Sequence, residues 1–166
     1  MTHDELVQAA EKWLRITVGC GFVLSERASG CGEQPDAIGW KRGYSYLIEC
    51  KTSRSDYKAQ ERKAHNYPGM GMGDFRYYLT PKDLITRDEL YPDWGLLEID
   101  KGRIHKVVGQ GFPPREHDVR SDIVILLSEL RIINRFMRGE NVIKTGRSID
   151  IFNRLAGIKP MQLVDR

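Results

Sequence analysis

Apolar residues recur at helical spacing in two stretches of the chain. Within residues 3–17 the recurring positions are Leu6, Ala9, Ala10, Trp13 and Leu14. Thr2 or Asp4 is a suitable N-cap for this stretch, and Gly19 and Gly21 follow it. Within residues 119–137 the apolar positions are Val119, Ile123, Leu126, Leu130, Ile133 and Met137. The pattern therefore predicts helices over residues 3–17 and 119–137.

Between these helices the apolar residues form short runs that are typical of strands. The predicted strands cover residues 22–24, 36–40, 45–50, 75–80, 94–99 and 103–108. Residues 41–44 and 101–102 have the composition of hairpin turns. The chain also predicts a helix over residues 57–66, and a short helix or turn over residues 81–84. Strands mixed with helices predict an α/β fold in which helices flank a central mixed sheet.

The composition is that of a single soluble domain. The chain has 166 residues, of which 40% are hydrophobic and 30% are charged, and this length allows one sizeable core. No apolar run approaches the roughly 20 residues that span a membrane, and the polar first residues do not form a secretory signal. We therefore expect a cytoplasmic protein. Cys20, Cys31 and Cys50 lack metal-binding spacing, which predicts reduced thiols.

Charge is distributed unevenly along the chain. Residues 1–100 contain 13 Lys and Arg against 16 Asp and Glu, whereas residues 101–166 contain 13 against 7. Positive charge gathered in one part of a protein suits a polyanionic partner such as DNA or RNA. A solvated surface without a specific partner is the alternative interpretation.

Two carboxylates and a lysine fall at the ends of predicted strands. Asp36 follows Pro35 at the start of one strand, and Glu49 and Lys51 close the next. Because strand side chains alternate, Glu49 and Lys51 share a face, roughly 7 Å apart along it. If the strand of Asp36 pairs with that of Glu49, the two carboxylates meet. Each part also has a simpler interpretation, since Asp after Pro is common in turns and Glu-x-Lys is common as a solvated charge pair.

Converging carboxylates favour a divalent cation, since like charges at close range oppose ionisation. Carboxylate, carbonyl and water oxygens suit Mg²⁺ or Mn²⁺, and the backbone carbonyl of Cys50 is a natural additional ligand. A lysine beside the metal would orient or deprotonate a water, or stabilise charge on a phosphate. The pattern thus favours phosphodiester hydrolysis.

The Pro35-Asp36 and Glu49-Cys50-Lys51 motifs resemble those of the PD-(D/E)xK nuclease superfamily. The order of predicted elements is similar too. Further segments resemble small uncharacterised bacterial and phage proteins of this superfamily, namely residues 25–27, 35–40, 53–56, 71–73, 76–78 and 94–96. The resemblance implies a restriction-endonuclease-like core over residues 1–110. Residues 111–166 would then form a C-terminal helix and basic tail that pack on the core or extend it.

The resemblance also implies roles for single residues. Asp36, Glu49 and Lys51 would be catalytic, and Asp36, Glu49, Glu26 and the Cys50 carbonyl would hold the metal. Arg54 and Lys63 would contact nucleic acid, and Glu5 matches loosely an acid of the first helix. Position 60 is Gln where relatives carry an acid, so a metal-binding role for the second helix does not follow.

The leading functional hypothesis is a Mg²⁺- or Mn²⁺-dependent nuclease that acts on DNA, or on RNA, in a bacterial or phage-infected cell. A catalytically silent nucleic-acid-binding protein and a phage–host interaction protein are the alternatives. Apolar Ile125, Ile132 and Phe136 lie off the main apolar face of the 119–137 helix. They suggest a second buried face, such as the contact of a homodimer.

Overall fold

A computed structural model of the chain describes residues 1–29, 32–59, 69–110 and 114–138. The helices are α1 (His3–Trp13), followed by a π-helical turn (Leu14–Val18), α2 (Arg54–Ala59), a 3-10 turn (Arg87–Glu89) and α3 (Val119–Met137). The strands are β1 (Phe22–Ser25), β2 (Ala37–Lys41), β3 (Tyr44–Cys50), β4 (Phe75–Pro81), β5 (Trp94–Asp100) and β6 (Arg103–Val108). All six predicted strands and the predicted first and last helices are confirmed.

The six strands form one mixed sheet in which spatial order follows chain order. β1, β2 and β3 are antiparallel neighbours, β3, β4 and β5 run parallel, and β6 returns antiparallel to β5. The fold is therefore α/β with a mixed sheet, as the sequence predicted. Parallel neighbours need long connections, and the chain makes them after β3 and after β4.

Both predicted hairpin turns are confirmed. Lys41 pairs with Tyr44 across the first turn, and its two central residues, Arg42 and Gly43, have φ angles of 51° and 86°. Positive φ at both central positions gives a turn whose twist matches that of the flanking strands. The two central residues of the second turn, Lys101 and Gly102, also have positive φ angles.

One face of the sheet is covered by α1. The helix begins with a capping box, in which the Thr2 hydroxyl accepts from the Glu5 amide while Glu5 accepts from the Thr2 amide. Its apolar face buries Leu6, Val7, Ala10 and Trp13. Ile48 and Cys50 of β3 belong to the same core cluster, so the even-numbered residues at the end of β3 face α1.

The opposite face has a second core cluster that holds Leu47 of β3. Four separate segments cover this cluster, and they contribute Tyr57 of α2, Met72, Ile85 and Ile125 of α3. The predicted alternation along β3 is thus confirmed. Glu49 and Lys51, which follow Leu47 at intervals of two, lie on this second face.

The predicted boundaries differ from the structure in two places. The second helix begins at Arg54, three residues before the predicted start, because Ser53, whose hydroxyl accepts from the Asp56 amide at 3.2 Å, caps it. Its predicted end, with Gln60 and Lys63, lies outside the described residues. Pro81 closes β4, where the sequence predicted a helix or turn to begin. Pro81 is the last residue of β4, so the interior of this central strand loses no backbone donor.

α3 packs on the core through a polar face. Its buried residues are Ser121, Asp122, Ile125 and Glu129. The predicted apolar face is instead turned outward, with Val119 53%, Ile123 49%, Leu130 58% and Met137 39% exposed. Side-chain pairing decides this orientation, because Glu129 forms an ion pair of 2.9 Å with Arg27 in the loop after β1.

Within the described ranges, no helix combines the length and apolar character needed to cross a membrane. The thiols of Cys20 and Cys50 are free and buried, while Cys31 lies outside the described residues.

Candidate metal and phosphodiester site

Three acidic residues meet where β1, β2 and β3 end or begin. Ser25 pairs with Ala37, and Ala37 pairs with Ile48. One step further in each register, Glu26 lies across from Asp36 and Asp36 across from Glu49. The Glu26 amide donates to the Pro35 carbonyl at 3.1 Å and to the Asp36 carbonyl at 3.3 Å, which keeps the two segments adjacent.

Asp36 is held from two directions. Its Oδ2 accepts a hydrogen bond of 2.6 Å from the backbone amide of Cys50. Its Oδ1 lies 3.3 Å from Nε2 of His3, at the start of α1. The first contact joins the entry of β2 to the end of β3, so the sequence-predicted encounter of Asp36 with the Glu49 strand takes place.

Glu49 and Lys51 contact each other directly. Lys51 Nζ lies 3.3 Å from Glu49 Oε2, and each side chain is only 6% exposed. Asp56 of α2 lies 3.9 Å from the same ammonium group. The lysine therefore sits between a buried carboxylate and a more exposed one, a more enclosed setting than a solvated charge pair.

Negative charge at the site is incompletely neutralised. Burial and, after it, the charge of Asp36 raise the pKa of Glu49 to about 7 against the opposing effect of Lys51. Burial also raises the pKa of Asp36, against the Cys50 amide and the neighbouring His3 and Lys51. A proton or a cation beside these two carboxylates would relieve the repulsion.

Glu26 extends the acidic group toward α1. Its Oε1 lies 3.9 Å from Nε2 of His3, and its charge raises the pKa of Asp36. The φ angle of Glu26 is 52°, so its backbone leaves the strand conformation here. Glu26 thus lies beside Asp36.

Two other predicted residues have different partners. Glu5 is exposed and accepts a 2.7 Å hydrogen bond from the Thr2 amide, so it caps α1. Arg54 forms an ion pair with Glu89 and donates to the Leu84 carbonyl at 3.0 Å. The predicted phosphate contact Lys63 lies outside the described residues.

Sequence reasoning missed His3, Asp56 and Glu33. His3 and Asp56 are near the site only because α1 and α2 begin there. Glu33 is fully buried against Arg76, within a loop whose small and polar residues gave no periodic signal. The one available signal was an acid between Gly32 and Pro35 in the segment that leads to Asp36.

The donor set fits a weakly chelated hard cation. Across the described parts of the chain, no group of three or more His, Cys, Asp or Glu side chains is arranged to hold a metal ion. Mg²⁺ is commonly bound by one or two carboxylates while it keeps several waters, and Asp36 with Glu49 meets that requirement. A zinc site would need three or four nitrogen, sulfur or oxygen ligands. Coordination by Glu26 and by the Cys50 carbonyl stays a prediction.

No family model matches this chain, and no curated protein matches it. A similar solved structure is that of the SPO1766 protein of unknown function from Silicibacter pomeroyi. The two are 19% identical, with a TM-score of 0.60 over 87% of this chain and 98% of that one. This likeness shows a shared α/β fold and carries no information about activity.

Proposed function

We propose that this protein is a metal-dependent nuclease of the PD-(D/E)xK type, with a restriction-endonuclease-like core, that hydrolyses phosphodiester bonds of DNA. The observation that carries the proposal is the meeting of Asp36 and Glu49, with Lys51 Nζ 3.3 Å from Glu49. Burial raises the pKa of both carboxylates; the charge of Asp36 adds to the rise for Glu49, and the charge of Glu26 adds to the rise for Asp36. A site with this charge suits a divalent cation and an anionic substrate bound to it.

Asp36 and Glu49 would hold the metal, which supplies Lewis acidity and lowers the pKa of a bound water. Lys51 would hold a proton near the scissile phosphate or stabilise its negative charge. The Cys50 amide keeps Asp36 oriented through the 2.6 Å hydrogen bond. Burial of the pair excludes bulk water, which strengthens each of these interactions.

The distribution of positive charge supports a nucleic-acid substrate. Three exposed arginines lie in α3, at positions 120, 131 and 135, and its C-cap Arg138 is exposed too. Contacts from such residues to phosphates make binding fall steeply with salt. A cytoplasmic location in a bacterial or phage-infected cell belongs to the same proposal.

Cleavage assays with Mg²⁺ or Mn²⁺ test the proposal on supercoiled, linear, single-stranded and branched DNA, with RNA in parallel. We expect Glu49→Gln and Lys51→Ala each to lower the cleavage rate by on the order of 100-fold or more, because each removes a group that acts on the transition state. Asp100→Asn is the matched control, since Asp100 pairs with Lys82 at 3.7 Å at the far hairpin. Wild-type protein that cuts none of these substrates would contradict the proposal.

A second candidate function, a protein-interaction role, is favoured by the outward apolar face of α3. A catalytically silent protein of this fold would bind DNA or a partner protein without needing a metal. Calorimetry with Mg²⁺ and Mn²⁺ separates the two candidates, because only the nuclease requires binding of a divalent cation.

A further inference from the structure

The loop that joins β1 to β2 contains a carboxylate with no exposure to solvent. The side chain of Glu33 is 0% exposed, and it lies three residues before Asp36. Burial of a charged carboxylate costs several kcal/mol unless partners compensate for it. The partners of Glu33 therefore indicate which segments its burial holds together.

Glu33 joins its loop to two other segments. One carboxylate oxygen forms an ion pair with the guanidinium of Arg76 in β4, whose side chain is also 0% exposed. The other oxygen accepts a 2.6 Å hydrogen bond from the Met72 amide. Arg76 is in turn fixed by the ring of Trp94, 4.2 Å from its guanidinium carbon.

Only two residues separate this anchor from Asp36. One of them is Pro35, whose ring restricts φ and which is buried. The carbonyl of Pro35 accepts from the Glu26 amide at 3.1 Å. Because this connection is short and restrained, the position of Asp36 depends on that of Glu33.

We propose that Glu33 is a positioning residue of the carboxylate site, which holds the β1–β2 loop so that Asp36 lies beside Glu49. A buried ion pair is weak evidence of a stabilising role, because its apolar replacement is often neutral or stabilising. The consequence for metal affinity rests on the proposed function, whereas the consequence for the position of Asp36 does not.

The test is the double variant Glu33→Leu with Arg76→Met, which removes both buried charges together. The primary readout is amide hydrogen exchange at Cys50, whose amide donates to Asp36, as a ratio to exchange at Ile48 within the same strand. We expect this ratio to rise on the order of tenfold, equivalent to about 1.4 kcal/mol, and the dissociation constant of Mg²⁺ to rise by a similar factor.

Leu97→Ala is the control for a general loss of stability. Leu97 is fully buried in the cluster beneath α1, and its truncation leaves a cavity that destabilises the fold. We expect the control to lower the melting temperature while the Cys50 to Ile48 exchange ratio and the Mg²⁺ affinity stay at wild-type values.

An unchanged exchange ratio in the double variant would overturn the positioning role. If the double variant does not fold, Glu33→Gln decides the same question, because it breaks the ion pair but keeps an acceptor for Met72. A raised exchange ratio there supports the proposal and an unchanged one overturns it. Wild-type protein that binds neither Mg²⁺ nor Mn²⁺ would defeat the proposed nuclease function, while the exchange ratio would still decide the role of Glu33.

Discussion

Glu49 is a site residue whose ionisation the surrounding structure strongly controls. Its side chain is 6% exposed, and burial, followed by the charge of Asp36, raises its pKa to about 7. The sequence alone predicted that Glu49 and Lys51 would share a strand face, and that Asp36 would meet Glu49 if their strands paired. It could not predict the depth of burial, which comes from segments distant in the chain.

Metal binding should depend on pH through Glu49. Because the carboxylate must lose its proton to bind a cation, we expect the Mg²⁺ affinity to fall about tenfold per pH unit below pH 7 if one proton is released. Titration calorimetry between pH 5.5 and 8.5 would measure this. An affinity that stays constant over that interval would contradict the pKa of about 7.

The same carboxylate should affect metal-free stability in the opposite sense. A carboxyl group whose pKa is raised in the folded state stabilises the fold while it is protonated. Its contribution is full below the unfolded value of 4.5 and is lost as pH rises through about 7. We expect Glu49→Gln to reduce the fall in melting temperature between pH 5 and pH 8 without metal. Equal pH dependence in wild type and variant would argue against this.

At the scale of elements, α3 shows why a periodic pattern does not decide which face is buried. The pattern of 119–137 predicted the helix and its bounds, and both are confirmed. Polar contacts instead turn its apolar residues outward, through Glu129 with Arg27 and through Asp122 with His117. The pair of Glu129 with Arg27 joins residues distant in the chain, so it has no signature in local sequence.

His117 links the beginning of α3 to the loop before β4. Its Nδ1 lies 3.6 Å from Oδ1 of Asp74, and its Nε2 lies 3.6 Å from Oδ2 of Asp122. Burial lowers its pKa, but the hydrogen bond and charge of Asp122, the charge of Asp74 and the Arg115 carbonyl outweigh burial and raise it. The stabilising charge is therefore present below pH 6.5 and is lost as pH rises through the folded-state pKa.

Removal of this imidazole should matter most at low pH. We expect His117→Gln to lower the free energy of unfolding by on the order of 1 kcal/mol at pH 6, the scale of such pairs, and by less at pH 8. Urea unfolding at both pH values measures the difference. An equal loss at pH 6 and pH 8 would show that the charge of His117 contributes nothing.

At the scale of the whole molecule, the exposed apolar face of α3 bears on oligomeric state. Its residues follow intervals of four and three from Val119 to Met137, the spacing at which helices pair. The homodimer suggested by the sequence stays a prediction. The outward apolar face differs from the face of Ile125, Ile132 and Phe136 that the sequence suggested for this contact. Residues 139–166 lie outside the described part of the chain.

A charged side chain at the centre of the exposed apolar face of α3 should prevent dimerisation. We expect wild-type protein to dimerise in a concentration-dependent way and Leu130→Lys to remain monomeric, because a lysine in an apolar helix contact loses its hydration. Sedimentation equilibrium measures both. Arg131→Lys, at the neighbouring exposed position, serves as the control. Wild-type protein that is monomeric at every concentration would contradict the expectation.

The sequence by itself determined the α/β class, the strands, the hairpin turns and the shared strand face of Glu49 and Lys51. These depend on periodicity, turn chemistry and pairing between neighbouring segments, all of which involve residues close together in the chain. Only the tertiary structure decided that β3, β4 and β5 run parallel and that α3 buries its polar face. It alone brought Glu33 to Arg76 beneath the site, because contacts between residues 43 positions apart depend on how the whole chain packs.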